Sequence, residues 1–219
     1  MSSGCAGGCA ASADGQRGCV AARVALAQDR NGELENSVRL RSEQSFLLVV
    51  DVQAQLAPRV DGGQQVIAKC AALMQAARLL ELPIRVTEHC ADRIGHSVPE
   101  IAVFAQPSEI LSKTHFCCTD EPGALDNFDA LDRKQAVIAG MEAHVCAMQA
   151  ALGLADHGYE CFFVQDASGS QRASDHAVAV ERLRMNNVQI VTTEMVMFEW
   201  LKRADVPEFR ELLKIVKSV

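Results

Sequence analysis

The chain has 219 residues, 49% hydrophobic and 22% charged, which gives enough apolar material for one α/β domain with a tail and excludes a globally disordered chain. Its formal charge is −7, with lysines and arginines scattered among acids, so no basic stripe is available to neutralise phosphates and nucleic acid is not an expected partner. The longest apolar runs fall far short of the roughly 20 residues that span a bilayer. Nine cysteines, an odd number with no secretory hydrophobic region, point to free thiols in a reducing, cytoplasmic setting.

Residues 1–43 are rich in Gly, Ala and Ser and lack a sustained apolar period, so they read as a flexible extension ahead of a domain over 44–219. Two arginines face one acid in the first 28 residues, a faint likeness to a mitochondrial transit peptide that the following acids dilute. Cys5, Cys9 and Cys19 match no zinc template. From Ser45 the pattern changes. Phe46–Val50 is a continuous apolar run, the signature of a strand buried on both faces, and it stops at Asp51. Gln65 to Leu80 carries apolar residues at helical spacing and is ended by Pro83 before a strand over Ile84–Thr87. Ile110–Ser112 adds a strand. A second unit follows, with strand Ala136–Ala139, a helix from about Ala143 to His157, a turn at Gly158 and strand Cys161–Val164. Asp175 opens a third helix to Met185, ahead of strand Gln189–Val191. This alternation predicts a three-layer α/β/α domain around a mostly parallel, six-stranded Rossmann-like sheet.

In such a sheet ligands bind at the carboxyl ends of the strands, where strand order reverses. Asp51 ends the first strand, Lys113 follows the Ile110–Ser112 strand, and Cys146 falls in the first turn of the helix after Ala136–Ala139. A helix N-terminus and a nearby lysine both favour a thiolate, so Cys146 is expected to have a pKa below the free value of about 8.5, opposed by Asp51, and to be the most readily alkylated cysteine. Asp51 is placed to take the thiol proton and return it to a leaving group. Each residue has a plain alternative on position alone: Asp51 a cap, Lys113 a solvated surface lysine, Cys146 an inert buried thiol. His144, two residues from Cys146, diverges from it on a helix and makes no Cys-His pair.

Three segments carry a resemblance, in the same order as in a known family: Leu47-Leu-Val-Val-Asp-Val-Gln53, Ser112-Lys-Thr-His-Phe116 and Val137-Ile-Ala-Gly-Met-Glu-Ala-His-Val-Cys146. With Asp166-Ala-Ser-Gly-Ser170, Thr193-Glu194 and Pro207-Glu-Phe209, the chain over about 44–217 resembles the isochorismatase-like cysteine hydrolases. Within them it looks closest to the isochorismatase-domain-containing proteins and their bacterial hydrolase relatives. The resemblance implies Asp51 as general base, Lys113 as support for the thiolate and Cys146 as nucleophile. It also implies a non-proline cis peptide at Met141–Glu142, an oxyanion hole from the N–H groups of Glu142 and Cys146, and substrate contacts from Gln53, His89, Phe116 and Met141. His89-Cys90-Ala91-Asp92 stands where the nicotinamidase branch carries an Asp-x-His metal pair. His89, Cys90, Asp92 and His96 supply donors but match no zinc spacing, so neither metal nor cofactor is expected. The implied activity is hydrolysis of a small amide-like C–N bond through a cysteine thioester in a homo-oligomer, with a catalytically silent binding or scaffold protein as the alternative. No Gly-x-Gly-x-x-Gly follows the first strand, which disfavours a nucleotide-dependent oxidoreductase.

Overall fold

A computed structural model describes residues 39–219, which form one compact unit; expectations for the leader, including those for Cys5, Cys9 and Cys19, lie outside the described residues. In chain order the elements are β1 (Ser45–Val50), α1 (Gly63–Leu79), β2 (Ile84–His89), α2 (Ala91–Ile94), α3 (Pro99–Ala102), β3 (Ile110–Lys113), α4 (Ala124–Asp129) and β4 (Gln135–Met141). A π-helical turn over Ala143–Ala147 then leads into α5 (Met148–Asp156), β5 (Glu160–Gly169), α6 (Ala173–Met185), β6 (Gln189–Val191), α7 (Thr193–Leu201) and α8 (Phe209–Val216).

The six strands form one all-parallel sheet in the order β3-β2-β1-β4-β5-β6. β1 shows why its sequence does not alternate. Leu47 and Val49 pack in a layer with α1, α7 and α8, through residues such as Leu73, Trp200 and Leu212, whereas Phe46, Leu48 and Val50 pack in the opposite layer with Phe128, Ala150, Leu154 and Leu183. Both faces are apolar because both are covered. Phe46 also stacks on Phe128 at 5.8 Å and meets Tyr159 edge-on, fixing the second layer against β1.

The strand order places the switch point between β1 and β4, because the chain leaves β1 toward β2 and leaves β4 toward β5. Val50 pairs with Gly140 there. Gly140 has φ +127°, and a Cβ at that position would collide with the backbone of Val50. The same register continues into β5 through a bulge between Ile138 and Gly140, where Gly140 pairs with Ser168.

Several boundaries differ from the sequence expectation for identifiable reasons. β5 continues past Val164 to Gly169 although Gln165 and Asp166 break its apolar run. The single helix expected from Ala143 is a π-turn followed by α5, and α2, α3, α4, α7 and α8 lay outside the expected elements. The domain also begins before residue 44: Leu40 is buried in the α1 layer, its amide bonds to the Glu199 carboxylate at 2.6 Å, and the Arg41 amide bonds to Gln135 Oε1 at 2.8 Å. Among the described residues no helix is long and apolar enough to cross a membrane.

Candidate active site at the β1–β4 crevice

Asp51 follows the last residue of β1 and turns the chain with φ +50°, a left-handed conformation that aspartate tolerates better than most side chains. Its carboxylate is fully buried. Thr87 Oγ1 donates to Oδ1 at 2.6 Å, and Lys113 Nζ donates to Oδ2 at 2.7 Å. Neither acceptor bond goes to a backbone amide, so the capping alternative does not describe this carboxylate. Lys113 is the last residue of β3, and its side chain is 2% exposed. The solvated-lysine alternative fails on that burial. Nζ also donates to the His115 carbonyl at 3.2 Å.

Cys146 is buried in the π-turn, where the N–H groups of Val145 and Ala147 both donate to the Glu142 carbonyl, at 3.0 and 3.2 Å. The Ala147 bond spans five residues, the widened turn that often marks functional sites. The Met141–Glu142 peptide is cis. The structure thus brings Asp51 and Lys113 into one hydrogen-bonded pair, and the charges of both act on the Cys146 thiol.

The direction of that action corrects the sequence expectation. Burial is the largest influence and the Asp51 carboxylate the next, so the Cys146 thiol is pushed well above its ordinary range, with Lys113 opposing. A position at a helix N-terminus did not win because the group is desolvated and faces an anion. The resting state is a thiol. Cys90, by contrast, is the most exposed of the described cysteines.

The residues expected at substrate divide into two groups. His89, at the end of β2, stacks on Phe116 with centroids 5.1 Å apart, and Phe116 is 54% exposed, so this pair forms a ring surface beside the Lys113 strand end. Gln53 is fully buried instead: its Nε2 donates to the carbonyls of His89 and Gly95, at 3.0 and 2.5 Å, and its Oε1 accepts from the His89 amide at 2.8 Å. It clamps the β2 exit and has no surface to offer a ligand. Met141 is likewise fully buried, in the α1 layer, on the other side of the sheet from Cys146. Proximity in sequence to the switch point was misleading for both.

His89, Cys90, Asp92 and His96 do not converge; among the described residues no group of three or more His, Cys, Asp or Glu side chains is gathered as metal ligands. His96 bonds through Nδ1 to Glu88, whose buried carboxylate also accepts the Ser97 amide and hydroxyl. His144 faces away from the thiol, bonding through Nδ1 to Ser170 Oγ at 2.9 Å. Thr87 is the site residue that sequence reasoning gave no role; it is fully buried near the end of β2. A cavity of about 180 Å³ at the β3 edge reaches Thr87, Lys113, Cys118 and Glu121.

The isochorismatase domain model matches residues 45–195, a span that includes every element of this crevice. The chain belongs to the isochorismatase family. Isochorismatase domain-containing protein 2B from Mus musculus is 33% identical over 82% of this chain and 84% of its own length. Among solved structures, MAR1 ribonuclease from Caenorhabditis elegans superposes with a TM-score of 0.77 at 28% identity, covering 82% of this chain and 92% of that one. YcaC from Pseudomonas aeruginosa, solved with hexane-2,5-diol and covalent acrylamide, gives the same TM-score at 25% identity, with 82% and 92% covered. The isochorismatase-type α/β sheet is a hydrolase-like fold, and the crevice described above lies where that fold places its switch point.

Proposed function

We propose that the protein hydrolyses a small amide-like C–N bond through a thioester on Cys146. The observation that carries this reading is the fully buried Asp51–Lys113 pair held against a thiol in the π-turn after β4. Because the resting sulfur keeps its proton, deprotonation belongs to the reaction itself. Asp51 takes the Sγ proton as the sulfur attacks the carbonyl carbon, and the oxyanion is received by the N–H groups of Glu142 and Cys146. Collapse breaks the C–N bond and returns that proton from Asp51 to the departing nitrogen. Water then gives a proton to Asp51 and attacks the thioester, releasing the acid and restoring the thiol. Lys113 holds the carboxylate in place and offsets negative charge on sulfur. His89 and Phe116 supply a planar wall for the substrate. The P. aeruginosa relative carries covalent acrylamide, an electrophile that takes a nucleophile at its alkene carbon, which supports the presence of a reactive nucleophile in that relative but does not bear on the C–N bond.

A silent binding protein is the second reading, favoured by the buried, proton-holding thiol. A screen of small amides, ureides and isochorismate against wild type and Cys146→Ala separates the two. Turnover lost in Cys146→Ala, with an acyl adduct on Cys146 by mass spectrometry, supports the hydrolase; binding without turnover or adduct in wild type supports the silent protein. We also propose self-association, supported by exposed Val178 and Met185 on α6 and Met195 and Phe198 on α7.

A further inference from the structure

The loop between β3 and α4 contains an arrangement that the triad alone does not explain. Glu121 places one carboxylate oxygen, Oε2, against four donors: the Thr114 amide at 2.8 Å, the His115 amide at 3.2 Å, His115 Nδ1 at 2.8 Å and Thr114 Oγ1 at 3.4 Å. The His115 interaction, followed by the two amides, holds the Glu121 carboxyl down to about 2, so the group is an anion across the whole physiological range. The residue it grips is the one whose carbonyl accepts a hydrogen bond from Lys113 Nζ.

An ammonium has three donors and no acceptor. For Lys113, one donor is committed to Asp51 Oδ2 and a second to the His115 carbonyl, and these two bonds set the direction of the third, while the ammonium charge acts on the Cys146 thiol. If the His115 carbonyl drifts, the ammonium is free to rotate about its last bond and the third donor loses its set direction.

We propose that Glu121 is a positioning residue for Lys113: by anchoring Thr114 and His115 it fixes the carbonyl that orients the ammonium toward Cys146. The inference rests on the proposed role of the thiol as nucleophile but not on any particular substrate. Glu121 also lines the cavity that reaches Lys113 and Thr87.

The test is a double-mutant cycle read by the rate of Cys146 carbamidomethylation with iodoacetamide, mapped by mass spectrometry on folded protein at one pH. Glu121→Ala slows Cys146 labelling by about fivefold, on the scale of part of one charge-assisted hydrogen bond. Glu121→Gln, which keeps an acceptor for the two amides, recovers much of that loss. In a Lys113→Met background Glu121→Ala has no further effect, because the ammonium it orients is gone. An equal slowing in both backgrounds would show an effect on access or folding and would overturn the inference. So would unchanged labelling in Glu121→Gln and Glu121→Ala, or a Lys113→Met protein that labels like wild type. Failure of the hydrolase reading shows separately, as absence of turnover in a wild-type protein whose labelling still follows the cycle.

Discussion

Two lysine–aspartate pairs of nearly equal length involve strand-end or strand aspartates of this sheet region, and they are built differently. Lys113–Asp51 spans 2.7 Å with side chains 2% and 0% exposed; Lys69–Asp166 spans 2.6 Å with side chains 29% and 26% exposed. Asp166 also accepts the Thr193 amide and hydroxyl, so it ties the start of α7 to β5 and its oxygens are spent on architecture. Asp51 accepts only side-chain donors, Thr87 and Lys113, beside a thiol. Bond length does not distinguish a brace from the proton carrier proposed for Asp51. Burial and the identity of the remaining donors do.

The largest separation between the pairs is expected in turnover. Asp51→Asn removes the base and lowers kcat by about 10²- to 10⁴-fold on any substrate the wild type hydrolyses, whereas Lys69→Ala leaves kcat within about twofold. Steady-state kinetics of the two variants checks this, and equal losses would erase the distinction. Stability should separate them next. Lys113→Ala strands a buried carboxylate and costs about 3–5 kcal/mol, while Lys69→Ala costs no more than about 1 kcal/mol. Urea titrations give both values, and a Lys113→Met variant should lie closer to wild type in stability than Lys113→Asp. Gly140→Ala tests the ground on which the buried pair stands: with φ +127° and the Val50 backbone in the way, it should cost about 2–4 kcal/mol in the same titration. The smallest effect is kinetic. Cys90 should alkylate before Cys146 near neutral pH, and Cys146 labelling should rise as pH increases, because a thiol pushed upward yields thiolate only on the alkaline side.

Much of this was legible in the residues. Asp51 stood where an apolar run ended abruptly, Lys113 just after a short strand and Cys146 at the start of the helix after Ala136–Ala139, and the mostly parallel α/β sheet, though not its strand order, followed from the alternation of strand and helix patterns. What was not legible depended on distance and on water. The direction of the Cys146 shift required knowing that the thiol is desolvated and faces Asp51, which a helix-terminus argument does not contain. Gln53 and Met141 are close in sequence to Asp51 and Glu142, yet one turns its amide onto His89 and Gly95 and the other enters the opposite layer. The π-turn could not be told from an ordinary helix start, since Ala143–Ala147 carries no proline or glycine to mark it. Glu121 was one acid among many until its carboxylate was seen to gather the Thr114 and His115 amides.

The central claim is that Asp51 holds the proton on the Cys146 sulfur until the reaction takes it. The most direct measurement is the alkylation rate of Cys146 in wild type and in folded Asp51→Asn at a single near-neutral pH, beside turnover of the two proteins. With the carboxylate charge gone and Lys113 still present, the account predicts faster labelling together with lost turnover. Labelling that is slower in Asp51→Asn, or unchanged, would contradict it.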